Sequence, residues 1–204
     1  MDLFEKNVDI ESITKKAIKD EKVLSEIFEG ITSDNARIKY GSAKVLRSLA
    51  EKTPKVLYPK WDFFVGLLDN ENTFLKCDAV FIIGYLTKVD SKNKFESLFD
   101  KFYELLNDKS MITAANLVGI SGVIAKAKPA LQSKIVNQLL SIDKTHHGSE
   151  CKNVLKGHVI NTFSTYFAGS KDKGKILEFM KKELQNTRPA TRKKAEKFLN
   201  KWDK

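Results

Sequence analysis

The sequence predicts an all-α protein built from stacked helical hairpins, and two observations lead to this. Apolar residues recur at three- and four-residue spacing along the whole chain, and no segment shows the alternation of a strand. A helical motif also recurs every 37 residues from Ile38 to Leu75 and Ile112, with looser copies at Leu155 and Thr191. A fixed period between about 20 and 50 residues is typical of repeat arrays, whose units stack because a single unit cannot bury its apolar faces.

Helix-start signals divide the chain into elements. Asp9 is a cap for a first helix, Asp34 or Asn35 caps the helix predicted at 36–52, and Asn72 caps the helix predicted at 73–88. Pro54 suits a first helical position, whereas Pro59 falls inside a helical pattern and predicts a kink or a delayed start. These signals predict one domain over residues 1–204, with a cap helix at 9–20 and repeats at about 21–52, 53–89, 91–127, 129–167 and 172–202. The segment 143–150 is the one long connection.

The second helix of each predicted pair has a recognisable start. In residues 34–46 and 72–79, an acidic or amide turn precedes an apolar residue, a base and then small and aliphatic residues. This pattern resembles the second helix of HEAT repeats and covers about residues 21–202, although Thr113 replaces the base in the third copy. The resemblance implies a right-handed α-α superhelix, a HEAT-like solenoid of about five helical hairpins plus an N-terminal capping helix. It also implies structural ion pairs of Asp34 with Lys39, and of Lys76 and Arg192 with nearby acids.

The positive charge of the chain is concentrated at one end. Of the net +10, residues 1–150 contribute +1 and residues 151–204 contribute +9. The predicted basic patch comprises Arg188, Arg192, Lys193, Lys194, Lys197 and Lys201. Such a patch indicates either the solvated outer face of a terminal repeat or a surface that binds nucleic acid through phosphates.

The helical register predicts which residues line the concave face of the solenoid. These candidate binding residues are Tyr40, Lys44, Arg47, Phe74, Asp78, Phe81, Tyr85, Met111, Val118, His158 and Asn161. With Lys193 and Lys197 of the fifth repeat included, this face is basic at both ends and apolar in the middle. Apolar residues on an outward helix face are either buried by tight curvature or belong to an interface. In the second case the groove suits an apolar-anchored peptide or amphipathic helix flanked by acidic residues.

Motifs that carry chemistry are missing from the sequence. It contains no phosphate-binding glycine loop, and we predict no catalytic residue, metal or cofactor. His146 and His147 are expected in a solvated loop, and a weak enzymatic alternative would combine Asp78, Tyr85, His158 and Asn161 on the concave face. Two distant cysteines, no signal peptide and no apolar stretch of membrane-spanning length favour a reduced, cytoplasmic protein without membrane insertion.

The sequence therefore predicts a monomeric, non-enzymatic scaffold that binds a partner protein or peptide along its concave face. Nucleic-acid binding by the basic C-terminal repeat is the alternative, and an unrecognised enzyme in the groove is a further one.

Overall fold

The computed structural model describes residues 9–203, which are predominantly helical and contain no strand. The all-α prediction is therefore confirmed for this part of the chain. The chain divides into two compact units, one ending at Lys92 and one beginning at Asn93. Asn93 has a φ of 52°, in the left-handed region that asparagine tolerates better than most residues.

The N-terminal unit contains six α-helices among its described residues. One 3₁₀ turn lies inside the Pro54–Leu67 region, and another follows the last helix of the unit. Their bounds are α1 Ile10–Lys19, α2 Glu21–Gly30, α3 Ala36–Lys52, α4 Pro54–Leu57, the turn Tyr58–Lys60, α5 Trp61–Leu67, α6 Thr73–Leu86 and the turn Thr87–Val89. Side-chain oxygens of Asp9, Asn35 and Asn72 accept backbone N–H bonds and cap α1, α3 and α6, and Asn35 rather than Asp34 caps α3. The 3₁₀ turn at Pro59 is the predicted interruption.

Helix α3 lies at the centre of the N-terminal unit. It packs against α1 and α2 on one side and against α6 on the other, and α6 also packs against α5. The side chains of Leu46 and Leu49 on α3 and of Ile82 and Ile83 on α6 are fully buried. This apolar contact fixes the spacing between α3 and α6, so it also positions the side chains that stand on their outer faces.

The C-terminal unit consists of longer helices joined by 3₁₀ turns. Their bounds are α7 Lys94–Glu104, the turn Leu105–Asn107, α8 Met111–Ala127, the turn Pro129–Leu131, α9 Gln132–Leu140, the turn Ser141–Lys144, α10 Ser149–Ser164, the turn Phe167–Gly169, α11 Lys173–Glu183 and α12 Pro189–Trp202.

The second helices of this unit stack on one another in the order α8, α10, α12. At the first contact, the Thr162 hydroxyl donates to the Val118 carbonyl at 2.7 Å. At the second, the Thr191 hydroxyl donates to the Asn153 carbonyl at 2.8 Å. A threonine on the later helix thus bonds the backbone of the earlier helix at both contacts.

The long connection predicted at 143–150 is shorter than expected. Its first residues belong to the turn Ser141–Lys144, and α10 begins at Ser149. His147 is buried, with Nε2 2.9 Å from the Leu106 carbonyl oxygen, so the prediction of a solvated position is wrong for this residue. His146 is exposed, as predicted.

Two of the ion pairs that the resemblance implies are not formed among the described residues. Asp34 and Lys39 form no ion pair with each other, and Arg192 Nη1 donates to the carbonyls of Asn186 and Thr187 instead of to an acid. Lys156, the base of the fourth copy of the motif, does bind acids. Its Nζ lies 2.8 Å from Asp143 and 3.2 Å from Glu183.

Candidate functional site

A cleft of about 470 Å³ lies between α3 and α6 of the N-terminal unit. Tyr40, Lys44 and Arg47 line it from α3, and Phe74 and Asp78 line it from α6. Side chains three, four and seven residues apart share one face of a helix, so each helix contributes a row to the same cleft. We call it the α3–α6 cleft. All five of its lining residues belong to the set predicted from the sequence.

The mouth of the cleft is aromatic and open to solvent. Phe74 is 65% exposed, although most of α6 is buried. Its ring lies 5.8 Å from that of Tyr40 in an edge-to-face arrangement, and Asn72 Nδ2 donates to the Tyr40 hydroxyl at 3.3 Å. The two rings are therefore held in position around an apolar surface, and among residues 9–203 the Phe74 side chain stays largely open to solvent.

The floor of the cleft is an ion pair on an aromatic face. Arg47 Nη1 donates to Asp78 Oδ1 at 3.0 Å, and the Arg47 guanidinium carbon lies 4.0 Å from the centre of the Phe81 ring. Burial raises the pKa of Asp78, and the neighbouring cations Arg47 and Lys44 oppose that rise. Two contacts of different kinds thus fix the orientation of the guanidinium plane.

The row on α6 continues beyond the cleft. The rings of Phe81 and Tyr85 lie 4.7 Å apart, and the Tyr85 hydroxyl donates to Glu51 Oε1 at 3.2 Å. The Lys88 ammonium lies 4.5 Å from the centre of the Tyr85 ring. Burial raises the pKa of Tyr85, and the Glu51 carboxylate adds to that rise. The outward face of α3 and α6 therefore alternates aromatic and charged groups, which makes it amphipathic without being continuously apolar.

The other predicted binding residues lie in the C-terminal unit and differ in exposure. Val118 is fully buried, so its side chain belongs to the core of that unit and offers no binding surface. Met111 and His158 are half-buried, and Asn161 is exposed. Burial and the nearby Lys194 ammonium lower the pKa of His158.

The residues of the enzymatic alternative fall in both units. Asp78 and Tyr85 stand on α6 of the N-terminal unit, whereas His158 and Asn161 stand on α10 of the C-terminal unit. Within the N-terminal unit, Asp78 is bound to Arg47 and Tyr85 to Glu51. These contacts hold both side chains in place within that unit, and they do not point to either one as a catalytic acid or base.

Half of the predicted basic patch is used in contacts within the protein. Arg188 pairs with Glu150, Arg192 donates to backbone carbonyls, and Lys194 Nζ donates to the Gly157 carbonyl at 3.1 Å. Lys193, Lys197 and Lys201 are exposed and follow one another at four-residue intervals on α12. The cationic surface of α12 is thus a row of three lysines.

Sequence reasoning missed a second, polar cleft of about 270 Å³ in the C-terminal unit. Asp100 and Glu104 of α7 and Lys144 of the turn Ser141–Lys144 are among its lining residues. No motif marks it, because it forms only where the end of α7 meets a turn that lies about 40 residues further along the chain.

Among residues 9–203, no three or more His, Cys, Asp and Glu side chains group as metal ligands would. No helix within the same residues combines the length and the apolar character needed to cross a bilayer.

No family model matches the chain, and no curated protein or solved structure is significantly similar to it. The class of protein and its function therefore have to be inferred from the fold and from the α3–α6 cleft.

Proposed function

We propose that this chain is a HEAT-like α-solenoid that acts as a non-enzymatic interaction module in the cytoplasm, as a monomer. It binds a partner protein or peptide on the face formed by its second helices. The helical hairpins, and the stacking of α8, α10 and α12 through threonine–carbonyl bonds, support the solenoid architecture. Solenoids bind along extended surfaces, so the second-helix face is the expected place for a partner.

One observation carries the proposal: Phe74 is 65% exposed at the mouth of the α3–α6 cleft. A large aromatic side chain loses contact with water only if something covers it, and covering it is favourable by about 25 cal/mol per Å² of apolar area. Tyr40 and Arg47 stand beside it in the same cleft. Tyrosine and arginine are the residue types that, with tryptophan, most often dominate binding energy at protein interfaces.

The test compares Phe74→Ala with Ile18→Ala. Ile18 on α1 is a matched control, because it is also a large apolar residue that is 40% exposed, but it lies outside the cleft. The tagged proteins are incubated with nuclease-treated lysate of the source cells at high salt, and retained proteins are identified by mass spectrometry. We expect one specific set to be retained by the wild type and by Ile18→Ala and lost by Phe74→Ala. Equal retention by Phe74→Ala would reject the cleft as the binding site.

The row of exposed lysines on α12 favours a second candidate, nucleic-acid binding. Phosphate contacts release counterions, so the logarithm of the binding constant falls linearly with the logarithm of the salt concentration. The slope is about −0.9 for each neutralised phosphate. If α12 binds duplex DNA, changing Lys193, Lys197 and Lys201 to glutamine should reduce this slope by about three. If the slope is unchanged, or if no duplex binds even at low salt, the lysine row is only a solvated face.

A further inference from the structure

The side chains of the α3–α6 cleft fit partners of one chemistry, an inference that rests on the proposed function. We propose that the cleft takes a partner-protein segment in which a large apolar side chain is flanked by aspartate or glutamate. The apolar side chain lies against Tyr40 and Phe74, and the carboxylate binds Arg47 and Lys44.

Arg47 is prepared to receive a second carboxylate. A guanidinium has five N–H donors in a rigid fork, and only the Nη1 contact with Asp78 is directed at a carboxylate within the described residues. The side chain of Arg47 is 37% exposed and lines the cleft. The Phe81 ring and Asp78 hold the guanidinium in one orientation, so little conformational entropy is lost when a ligand binds.

Lys44 supplies the cation that attracts the ligand. It is exposed, lines the cleft and forms no ion pair within residues 9–203, although it is close enough to Asp78 to oppose the rise in that carboxyl pKa. A flexible ammonium of this kind contributes long-range attraction and partner selection more than net affinity. Reversing its charge should therefore change which ligands bind without disturbing the fold.

The aromatic mouth defines the other half of the ligand. The rings of Phe74 and Tyr40 form an apolar surface, and the cleft volume of about 470 Å³ falls within the range of about 300–1,000 Å³ for ligand pockets. Nucleic acid fits this site less well, because Asp78 partly neutralises Arg47 and Lys44 and would repel phosphates. A ligand with one apolar side chain and one carboxylate matches the aromatic rings of Tyr40 and Phe74. It also matches the net charge of +1 that Arg47, Lys44 and Asp78 give the cleft.

The experiment uses three pools of fluorescein-labelled peptides with a central phenylalanine or leucine. The residues flanking the centre are glutamate in one pool, glutamine in the second and lysine in the third, and all other positions are shared. Dissociation constants are measured by fluorescence anisotropy with the full-length protein. We expect the glutamate pool to bind about tenfold more tightly than the glutamine pool, and the lysine pool to bind weakest.

Two charge reversals test the assignment. Lys44→Glu should abolish the preference for glutamate over glutamine. Lys55→Glu, which changes another exposed lysine, on α4 and outside the cleft, should retain it. Arg47→Lys keeps the positive charge but loses the planar fork, so it should reduce the preference in part. Far-ultraviolet circular dichroism and thermal unfolding establish that each variant is folded.

Several outcomes would overturn the inference and leave the proposed function standing. One is equal binding of the three pools with loss of binding in Phe74→Ala, which would describe a cleft that selects only apolar anchors. Another is a glutamate preference that survives in Lys44→Glu. A third is absence of binding by every pool while the Phe74-dependent retention from lysate persists. Displacement of the glutamate pool by DNA in a Lys44-dependent manner would instead assign the cleft to nucleic acid.

Discussion

At the scale of single residues, His147 shows how one buried polar side chain fixes a connection. Its Nε2 lies 2.9 Å from the Leu106 carbonyl oxygen, so this nitrogen carries the proton and donates. The backbone N–H of the neighbouring His146 donates to the Asn107 side chain at 3.1 Å. Both bonds join the connection before α10 to the turn that ends α7, and the connection is ordered for that reason.

Replacing His147 by alanine should therefore destabilise the protein. The Leu106 carbonyl would lose its donor, and leaving a buried acceptor unsatisfied costs about 1–3 kcal/mol. His146→Ala is the control: the His146 side chain is exposed, so its removal should change the free energy of unfolding by no more than about 0.5 kcal/mol. Urea denaturation followed by circular dichroism measures both, and similar values for the two variants would contradict the structural role of His147.

At the scale of helices, close approach between α8 and α10 depends on a glycine. A Cβ built on Gly122 would lie 2.6 Å from the Thr165 Oγ1 atom. Real Cβ atoms do not approach oxygen so closely, so a larger residue requires either the Thr165 side chain or the helices to shift. Gly119, on the same helix, has nothing within 4 Å of the corresponding position. Only one of these two glycines is therefore required by packing.

These glycines give opposite predictions for the same substitution. Gly122→Ala should destabilise the protein by about 1–3 kcal/mol because it overpacks the helix contact. Gly119→Ala should stabilise it by about 0.5–1 kcal/mol, because alanine restricts the unfolded chain and the site is open. Thermal and urea unfolding of the two variants would check this, and a stabilised Gly122→Ala would show that α8 and α10 have room to adjust.

A buried ion cluster joins α10, α11 and the turn that precedes α10. Lys156 is the central group, and Glu183, which is only 2% exposed, also accepts from Asn186 Nδ2 at 2.5 Å. Lys156 also binds Asp143, and the exposed Lys182 lies 3.4 Å from that same carboxylate. The cluster thus contains one buried cation and one exposed cation that share an acid.

Removing these two cations should have unequal effects. Lys156→Met leaves the Glu183 carboxylate buried without its counter-ion, which should cost about 3–5 kcal/mol. Lys182→Met breaks an exposed pair and should cost no more than about 1 kcal/mol. Adding Glu183→Gln to Lys156→Met should recover part of the loss. A loss in Lys156→Met no larger than in Lys182→Met would show that the cluster is well solvated.

The cluster should also make stability depend on pH at both ends of the scale. Burial raises the pKa of Asp143, but hydrogen bonds and charge from Lys156 and Lys182 outweigh it and leave that pKa below its ordinary value. A lowered folded-state pKa contributes stability above the unfolded value of about 3.9, which is lost as pH falls through the folded value. Burial lowers the pKa of Lys156, but Asp143 and Glu183 outweigh it and raise that pKa. The Lys156 contribution is therefore present below the unfolded value of about 10.4 and lost as pH rises through the folded one.

Unfolding free energies of the wild type and of Lys156→Met, measured across pH, test these signs. The difference in unfolding free energy between the two proteins should be largest at pH values between the titration of Asp143 and that of Lys156. It should shrink in acid and in strong base. A difference that is constant with pH would contradict the ionic role of Lys156.

At the scale of the whole molecule, the boundary between the two units is an exposed turn. Ser91, Lys92 and Asn93 are exposed, and Asn93 adopts the left-handed conformation before α7. Limited digestion with trypsin should first cut residues 9–203 after Lys92, because exposed turns are cleaved more readily than helices. Lys92→Gln should delay that cut. Mass spectrometry identifies the fragments, and a first cut within α3 or α8 would show that a unit opens more readily than the boundary.

Much of the architecture could be predicted from the sequence, because helices and their caps depend on local patterns. Spacing of apolar residues identified the helices, Asn72 identified the start of α6, and the proline at 59 identified the interruption before α5. The register placed all five residues of the α3–α6 cleft on the outward face. Val118 and His147 are buried where the sequence predicted exposed positions, and Arg192 binds a carbonyl where it predicted an acid. Burial and hydrogen-bond partners were not predictable because they depend on how the helices pack.

The sequence by itself determined the helical class, the order of the elements and which side chains share a helix face, since these depend on interactions within a few residues. Only the tertiary structure decided what each face meets. It placed Phe74 in solvent beside Tyr40, bound Arg47 to Asp78 over Phe81, and engaged three of the six basic residues at the C-terminal end in contacts within the protein. The physical reason is that exposure and electrostatic pairing are set by neighbours across helix–helix contacts, and a repeat period specifies the helices more strongly than it specifies those neighbours.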